Sequence, residues 1–225
     1  MISLKRINTR LFLSCIIFYP FILLTGQTET SNPLPQFLFP VFSKSTVIMK
    51  AGNEYTADFN YNIVDEEMIF ARSNQYLVPE KPGDIDTIII DNRRFVPVEK
   101  AFYEVLVKGV VTMYIQHKGR YSSVGTPTAY GLTSQTNAST NVTTVRSGTQ
   151  FRTLDVPDNV TVSKASVNWV KINDVMNKFT SERQFLKILP GKENELKEFI
   201  KKSDIDFDSR EDLIKLGNFC NEIVK

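Results

Sequence analysis

Histidine and cysteine are nearly missing from this 225-residue chain, which holds one histidine, His117, and two cysteines, Cys15 and Cys220. A single imidazole excludes multi-histidine zinc sites and the H-E-x-x-H metalloprotease helix. No G-x-S-x-G elbow occurs, so His117 has no serine partner of that kind. No Walker loop and no dinucleotide fingerprint occur either, and neither nucleotide nor redox-cofactor chemistry is expected. An excess of one charge sign is also lacking: 27 basic residues face 25 acidic ones, for a formal charge of +2. Nothing in that balance favours nucleic acid as a partner.

What is present starts with an export signal. Lys5, Arg6 and Arg10 form a basic region, Leu11 to Leu24 an apolar run, and Thr25-Gly26 a small-residue site. These are the three parts of a signal peptide spanning residues 1–26, with Gln27 as the new terminus. Leu24, three positions before the cut, is larger than such sites prefer. A retained anchor is the rival: at ~1.5 Å per residue the run spans roughly 21 Å, short of a ~30 Å hydrocarbon core, and Pro20 interrupts it. A lipidated Cys15 fits less well, because the apolar run continues beyond it. The expected location is exported, in the periplasm, outer-membrane associated or secreted, with no transmembrane span after cleavage. Cleavage removes three positive charges, so +2 becomes −1. It also removes Cys15 and leaves Cys220 without a disulfide partner. Cys220 lies in an apolar helical pattern, which reads as a buried structural thiol. A catalytic thiol would have to recruit His117.

The rest reads as α+β. Residues 36–118 form a β-rich domain, with strands expected over 45–50, 54–61, 67–71, 75–78, 85–90, 95–98, 102–107 and 110–117. Tyr55, Ala57, Phe59 and Tyr61 alternate as one buried face. Ala51-Gly52-Asn53 and Asp91-Asn92 are turn signals, the latter a hairpin whose two residues tolerate left-handed backbone. Strands joined in sequence suggest an antiparallel meander curled into a small sandwich or open barrel. Residues 119–158 are rich in Ser, Thr, Gly and Asn and read as a flexible linker or long loop, with Tyr121, Tyr130 and Leu132 as local docking points. Residues 159–225 form a strand-and-helix unit: strands at 160–162 and 167–172, then three short helices. Ser181 with Gln184 and Ser209 with Asp212 are capping-box patterns. Leu213, Leu216, Cys220 and Ile223 form the stripe of the last helix.

Candidate chemistry is sparse. Asp204, Asp206 and Asp208 alternate like the start of a calcium loop, but the positions that need glycine and glutamate hold Ser209 and Lys215. The plainer reading turns Ile205 and Phe207 inward and the aspartates out, with Asp208 favourable near a helix N-terminus. Asp65, Glu66, Glu67, Asp84 and Asp86 would serve glycoside hydrolysis if a pair met across a cleft; acidic turns are the commoner explanation. The aromatics Tyr55, Phe59, Tyr61, Phe70, Tyr76, Phe95, Phe102, Tyr103 and Tyr114 suit core packing, with a glycan or peptide platform as the alternative. Asn137, Asn141 and Asn159 head glycosylation tripeptides that matter only in a glycosylating host. No catalytic, cofactor-binding or metal residue is assigned, and no cofactor is expected.

Several stretches resemble a broad group of exported Bacteroidota proteins for which no activity is established. They are Phe39-Pro40 leading into Thr46–Lys50, Asn60-Tyr61-Asn62 with Glu66-Glu67-Met68, and Ile85-Asp86-Thr87 with Arg94-Phe95-Val96. Tyr130-Gly131 with Thr133-Ser134-Gln135-Thr136, Phe185-Leu186-Lys187 and Asp212-Leu213-Ile214-Lys215-Leu216 complete the set. The resemblance implies an envelope or secreted bacterial protein and transfers no site residues. The expected function is therefore non-enzymatic, through another envelope protein or a small ligand. An exported hydrolase using the β-domain carboxylates and a calcium-stabilised envelope protein are the alternatives.

Overall fold

Runs of β-branched and aromatic residues between turn signals build most of the molecule. The computed structural model describes residues 34–73, 75–123 and 160–224, with four short backbone segments at 126–127, 133–134, 146–147 and 150–151. The segment read as a signal, Cys15, Tyr130, Leu132 and the three glycosylation asparagines lie outside the described residues. So does most of the expected linker. Asn32–Lys225 form one compact unit.

The strands are β1 (Ser43–Met49), β2 (Glu54–Asn62), β3 (Glu67–Arg72), β4 (Gln75–Leu77), β5 (Ile85–Ile90), β6 (Arg93–Val98), β7 (Ala101–Val107), β8 (Val111–Ser123), β9 (Val160–Ile172) and β10 (Val175–Phe179). They form one antiparallel sheet in the order β4-β3-β2-β1-β5-β6-β7-β8-β9-β10, which Gln150–Phe151 and Arg146–Ser147 extend beyond β4. Three helices, α1 (Glu182–Leu186), α2 (Glu193–Lys202) and α3 (Arg210–Ile223), follow near the C-terminus. A β-rich α+β chain is what the sequence predicts.

Three details differ from expectation. The sheet is not a simple meander, because β5 pairs with β1 rather than β4. Pro79 and Pro82 lack N–H donors, and the chain turns through a 3-10 turn at Pro82–Asp84. Ile85–Ile90 then fills the open edge of β1. Residues 160–162 and 167–172 are one strand, β9, paired along its whole length with β8. That pairing makes residues 119–123 strand rather than linker, and it carries the sheet of residues 36–118 into the strand-and-helix unit. Finally, β10 is a strand that periodicity does not reveal. It returns through Asn173 and Asp174, whose φ values of 49° and 63° match Asp91 and Asn92 at 46° and 64°. Both pairs make a type I′ hairpin turn.

Most of the core lies on one face of the sheet, and a smaller cluster of Phe37, Ile69 and Val78 lies on the other. Val47, Phe59, Tyr61, Ile88, Phe95 and Phe102 form one apolar cluster, joined by Phe39 from the N-terminal segment. Asn60 holds that segment down: its amide donates to the carbonyls of Phe39 and Val41, and its Oδ1 accepts from Phe39 N–H. The second cluster lies under the helices, where Met113, Ile115 and Val170 meet Phe179, Phe185, Leu196, Leu213, Leu216 and Cys220. Gly217 lets α3 approach closely, since a Cβ there would sit 2.7 Å from Met113 Sδ. The sheet also curls back on itself. Gly119 N–H donates to Ile63 O at 2.6 Å, and a Cβ on Gly119 would strike Ile63 and Val64. Among the described residues no helix is long and apolar enough to cross a membrane.

Candidate functional site

Strand alternation puts Glu104 of β7 on the core face, opposite Phe95 of β6 and Ile115 of β8. A lone carboxylate there would be very costly to bury, and its neighbours supply the compensation. Arg93 Nε donates to Oε1 at 2.9 Å and its Nη2 to Oε2. Arg210 Nε, from the first residue of α3, donates to Oε1 at 2.7 Å. His117 Nε2 lies 2.8 Å from Oε2 and 3.0 Å from Arg93 Nη2. A proton on Nε2 makes the imidazole a third donor to the carboxylate.

The cluster sits where the two apolar clusters meet. The Arg93 guanidinium lies 5.0 Å from the centre of the Phe39 ring and 5.7 Å from that of Phe95. Tyr61 stacks on Phe95 with centroids 5.8 Å apart, and its phenol points to the His117 carbonyl. Burial pushes the Tyr61 phenol up, away from any role as a proton donor near neutrality. Burial also acts to raise the Glu104 carboxyl, but the bonds from His117, Arg93 and Arg210 outweigh it and hold the group at about 2. Glu104 has no exposed surface. It is an ionised acceptor with its oxygens occupied, so it is a poor general base and has no proton to give. The arrangement joins β6, β7, β8 and α3.

The sequence reading weighed His117 and missed Glu104, Arg93 and Arg210. Two local signals mark them. Glu104 interrupts the apolar run Ala101–Val107, and Arg210 puts a cation at a helix N-terminus, the unfavourable end for positive charge. Each breaks a local rule that only a distant partner explains.

The opposite face of the sheet carries a depression of about 710 Å³. Lys50 from the β1–β2 turn, Arg94 of β6, Lys108 from the β7–β8 turn and Lys171 of β9 line it, with Tyr114 of β8 and the carboxylates Asp86 and Asp174. Lys171 Nζ pairs with Asp174 at 2.8 Å. Asp86 accepts from the Thr87 hydroxyl at 2.9 Å. Among the described residues Lys50, Arg94 and Lys108 have no ion-pair partner.

The carboxylates considered for hydrolysis do not gather. Asp65 accepts from the Asn62 amide at 2.7 Å in the β2–β3 turn, and Glu66 pairs with Lys118 at 2.9 Å. Glu66, Asp84 and Asp86 line three separate depressions. Ile205 is buried and Phe207 partly so, while Asp204, Asp206 and Asp208 are exposed, as the connector reading has it. Asp206 Oδ1 accepts from Asp208 N–H, and no acidic or histidine cluster of metal-binding size occurs among the described residues. Cys220 is buried, and burial pushes its thiol up to about 12. Of the aromatic set Phe59, Tyr61, Phe95, Phe102 and Tyr103 are buried, whereas Tyr55 is 57% exposed. Tyr55 lines a depression together with Met49, Ala57 and Phe70.

Compared with known protein families, curated proteins and solved structures, the chain matches none.

Proposed function

We propose that this chain is an exported, non-enzymatic binding protein of the bacterial envelope or the medium, and that the depression over β5–β9 is the surface with which it binds. One observation carries the reading. Lys50, Arg94 and Lys108 stand around an open depression without carboxylate partners, whereas the buried cluster of Glu104, Arg93, His117 and Arg210 is occupied in joining elements of the fold. An excess of one charge sign around a concavity raises the local concentration of ligands of the opposite sign. Export rests on the basic and apolar N-terminal segment.

The test has two arms. Purified full chain is offered ester, peptide and glycoside substrates, with no turnover expected. Turnover abolished by His117→Ala or Glu66→Ala overturns the non-enzymatic reading. A photo-crosslinking residue at Thr112, in the depression, is then used in intact producing cells before fractionation. Adducts in the envelope or medium are expected; adducts confined to the cytoplasm overturn export.

A further inference from the structure

The depression crosses the strands obliquely, from Asp86 on β5 through Arg94 and Tyr114 to Lys171 on β9, since the registers carry Asp86 across to Ser166 rather than to Lys171. Four inter-strand spacings of ~4.8 Å and an offset of about five residues at ~3.3 Å each give it a length of about 25 Å. The backbones beneath are already paired on both sides, so an occupant meets side chains only. A peptide added as a strand finds no free ladder here. The charges are arranged along the groove: Lys50 and Lys108 stand on turns, and Arg94 projects from a strand between β5 and β7. Of the two lining carboxylates Asp174 is paired with Lys171, while Asp86 accepts from the Thr87 hydroxyl and keeps its charge, so the four cations exceed the carboxylates by two. The half-buried Tyr114 ring offers an apolar surface between the cations, and the exposed Asn173 amide offers hydrogen bonds at the rim.

We propose that this groove binds an acidic sugar chain, with its carboxylate or sulfate groups at Lys50, Arg94 and Lys108 and a ring face on Tyr114. The proposal rests on the binding-protein reading and names its ligand class. An extended polymer suits a shallow groove of this length. Hydroxyl-rich rings also suit a surface that offers side-chain contacts in place of a backbone ladder.

The experiment is calorimetric titration of the full chain with tetragalacturonate, with a sulfated tetrasaccharide as a second anionic arm. Maltotetraose is the neutral control and tetraglutamate the peptide control. At least one anionic sugar is expected to bind, more weakly as salt rises, and maltotetraose not at all. Lys50→Ala, Arg94→Ala and Lys108→Ala are each expected to weaken binding about three- to fivefold, and the triple variant more than about tenfold, with unchanged thermal midpoints. The proposal is overturned if neither anionic sugar binds, if the triple variant binds as well as the parent, or if tetraglutamate binds as tightly as the sugars. Envelope adducts from the Thr112 crosslinker without acidic-sugar binding would overturn this proposal and leave the broader reading intact.

Discussion

Replacing Glu104 by Gln keeps the shape of the side chain and removes its charge. The wild-type carboxyl is held at about 2, against an ordinary value of 4.5. At roughly 1.4 kcal/mol per pH unit, that depression corresponds to about 3 kcal/mol of folding free energy. Breaking a buried ion pair by removing one partner costs about 3–5 kcal/mol. The lower end applies here, because the Arg93 and Arg210 side chains are 23% and 32% exposed and can turn toward water. The two routes agree at about 3 kcal/mol. Since the folded value is depressed, this stability is present above pH 4.5 and lost as pH falls toward 2. Urea unfolding measures it: at neutral pH Glu104→Gln should lower the midpoint with an unchanged slope. The gap between wild type and variant should then shrink as pH falls through the same window. A variant within about 1 kcal/mol of wild type, or a gap that does not change with pH, would refute the reasoning.

Four further outcomes follow from the packing. Asn221→Ala removes the bonds that its side chain makes to Val111 N–H, Val111 O and Gly217 O; urea unfolding should show a loss of about 1–3 kcal/mol, and a loss below about 0.5 kcal/mol would contradict it. Gly217→Ala should destabilise despite alanine's better helix propensity of about 1 kcal/mol. The new Cβ meets Met113 Sδ and Val107 Cγ2 at 2.7 and 3.0 Å, and overpacking costs about 1–3 kcal/mol; a raised melting temperature would count against that packing. In a Cys15→Ser chain, Cys220, with its thiol pushed up to about 12, should react with Ellman's reagent only as fast as the chain unfolds, and prompt labelling of native protein would show otherwise. Excess calcium and excess chelator should leave the melting temperature within about 1 °C of each other, because the carboxylates of Asp204, Asp206 and Asp208 are not gathered; a clear rise in calcium would show a site there.

The parts of this fold that were legible are those written in local chemistry. β-branched and aromatic runs between turn signals mark β1 to β8, with clean alternation in β2, and a cap and an apolar stripe mark α3. At Ser209 the hydroxyl does accept from Asp212 N–H. At α1 the pattern shifts by one residue: Gln184 accepts from Thr180 rather than closing on Ser181. Tyr55 shows the limit of alternation, which reports a face but not whether anything covers it. β10 was missed because Val175–Phe179 has polar residues at its centre, as exposed edge strands do. Yet Asn173-Asp174 carries the same turn signal that was read at Asp91-Asn92, so that hairpin was available. The pairing of β5 with β1 was not available, since nothing in Ile85–Ile90 names its partner.

The Glu104 cluster was illegible for the same reason as the β1–β5 pairing, and the two cases show what sets the tertiary arrangement. Apolar stripes on α3 and on β7–β8 fit each other in more than one register, because dispersion and hydrophobic burial have no direction. A charge on the inner face of β7 changes that. Arg93 and His117 already bond Glu104 from within the sheet, and the further bond from Arg210 ties the start of α3 to that one point. Asn221 ties its last turn to Val111, at the start of β8. Two polar attachments, one near each end of a helix of 14 residues, leave its apolar stripe a single position to fill. The same reasoning separates the two polar regions of the molecule. Charges that select a position in the fold are buried and mutually satisfied, as around Glu104. Charges at Lys50, Arg94 and Lys108 select nothing within the described fold and stand open to a ligand.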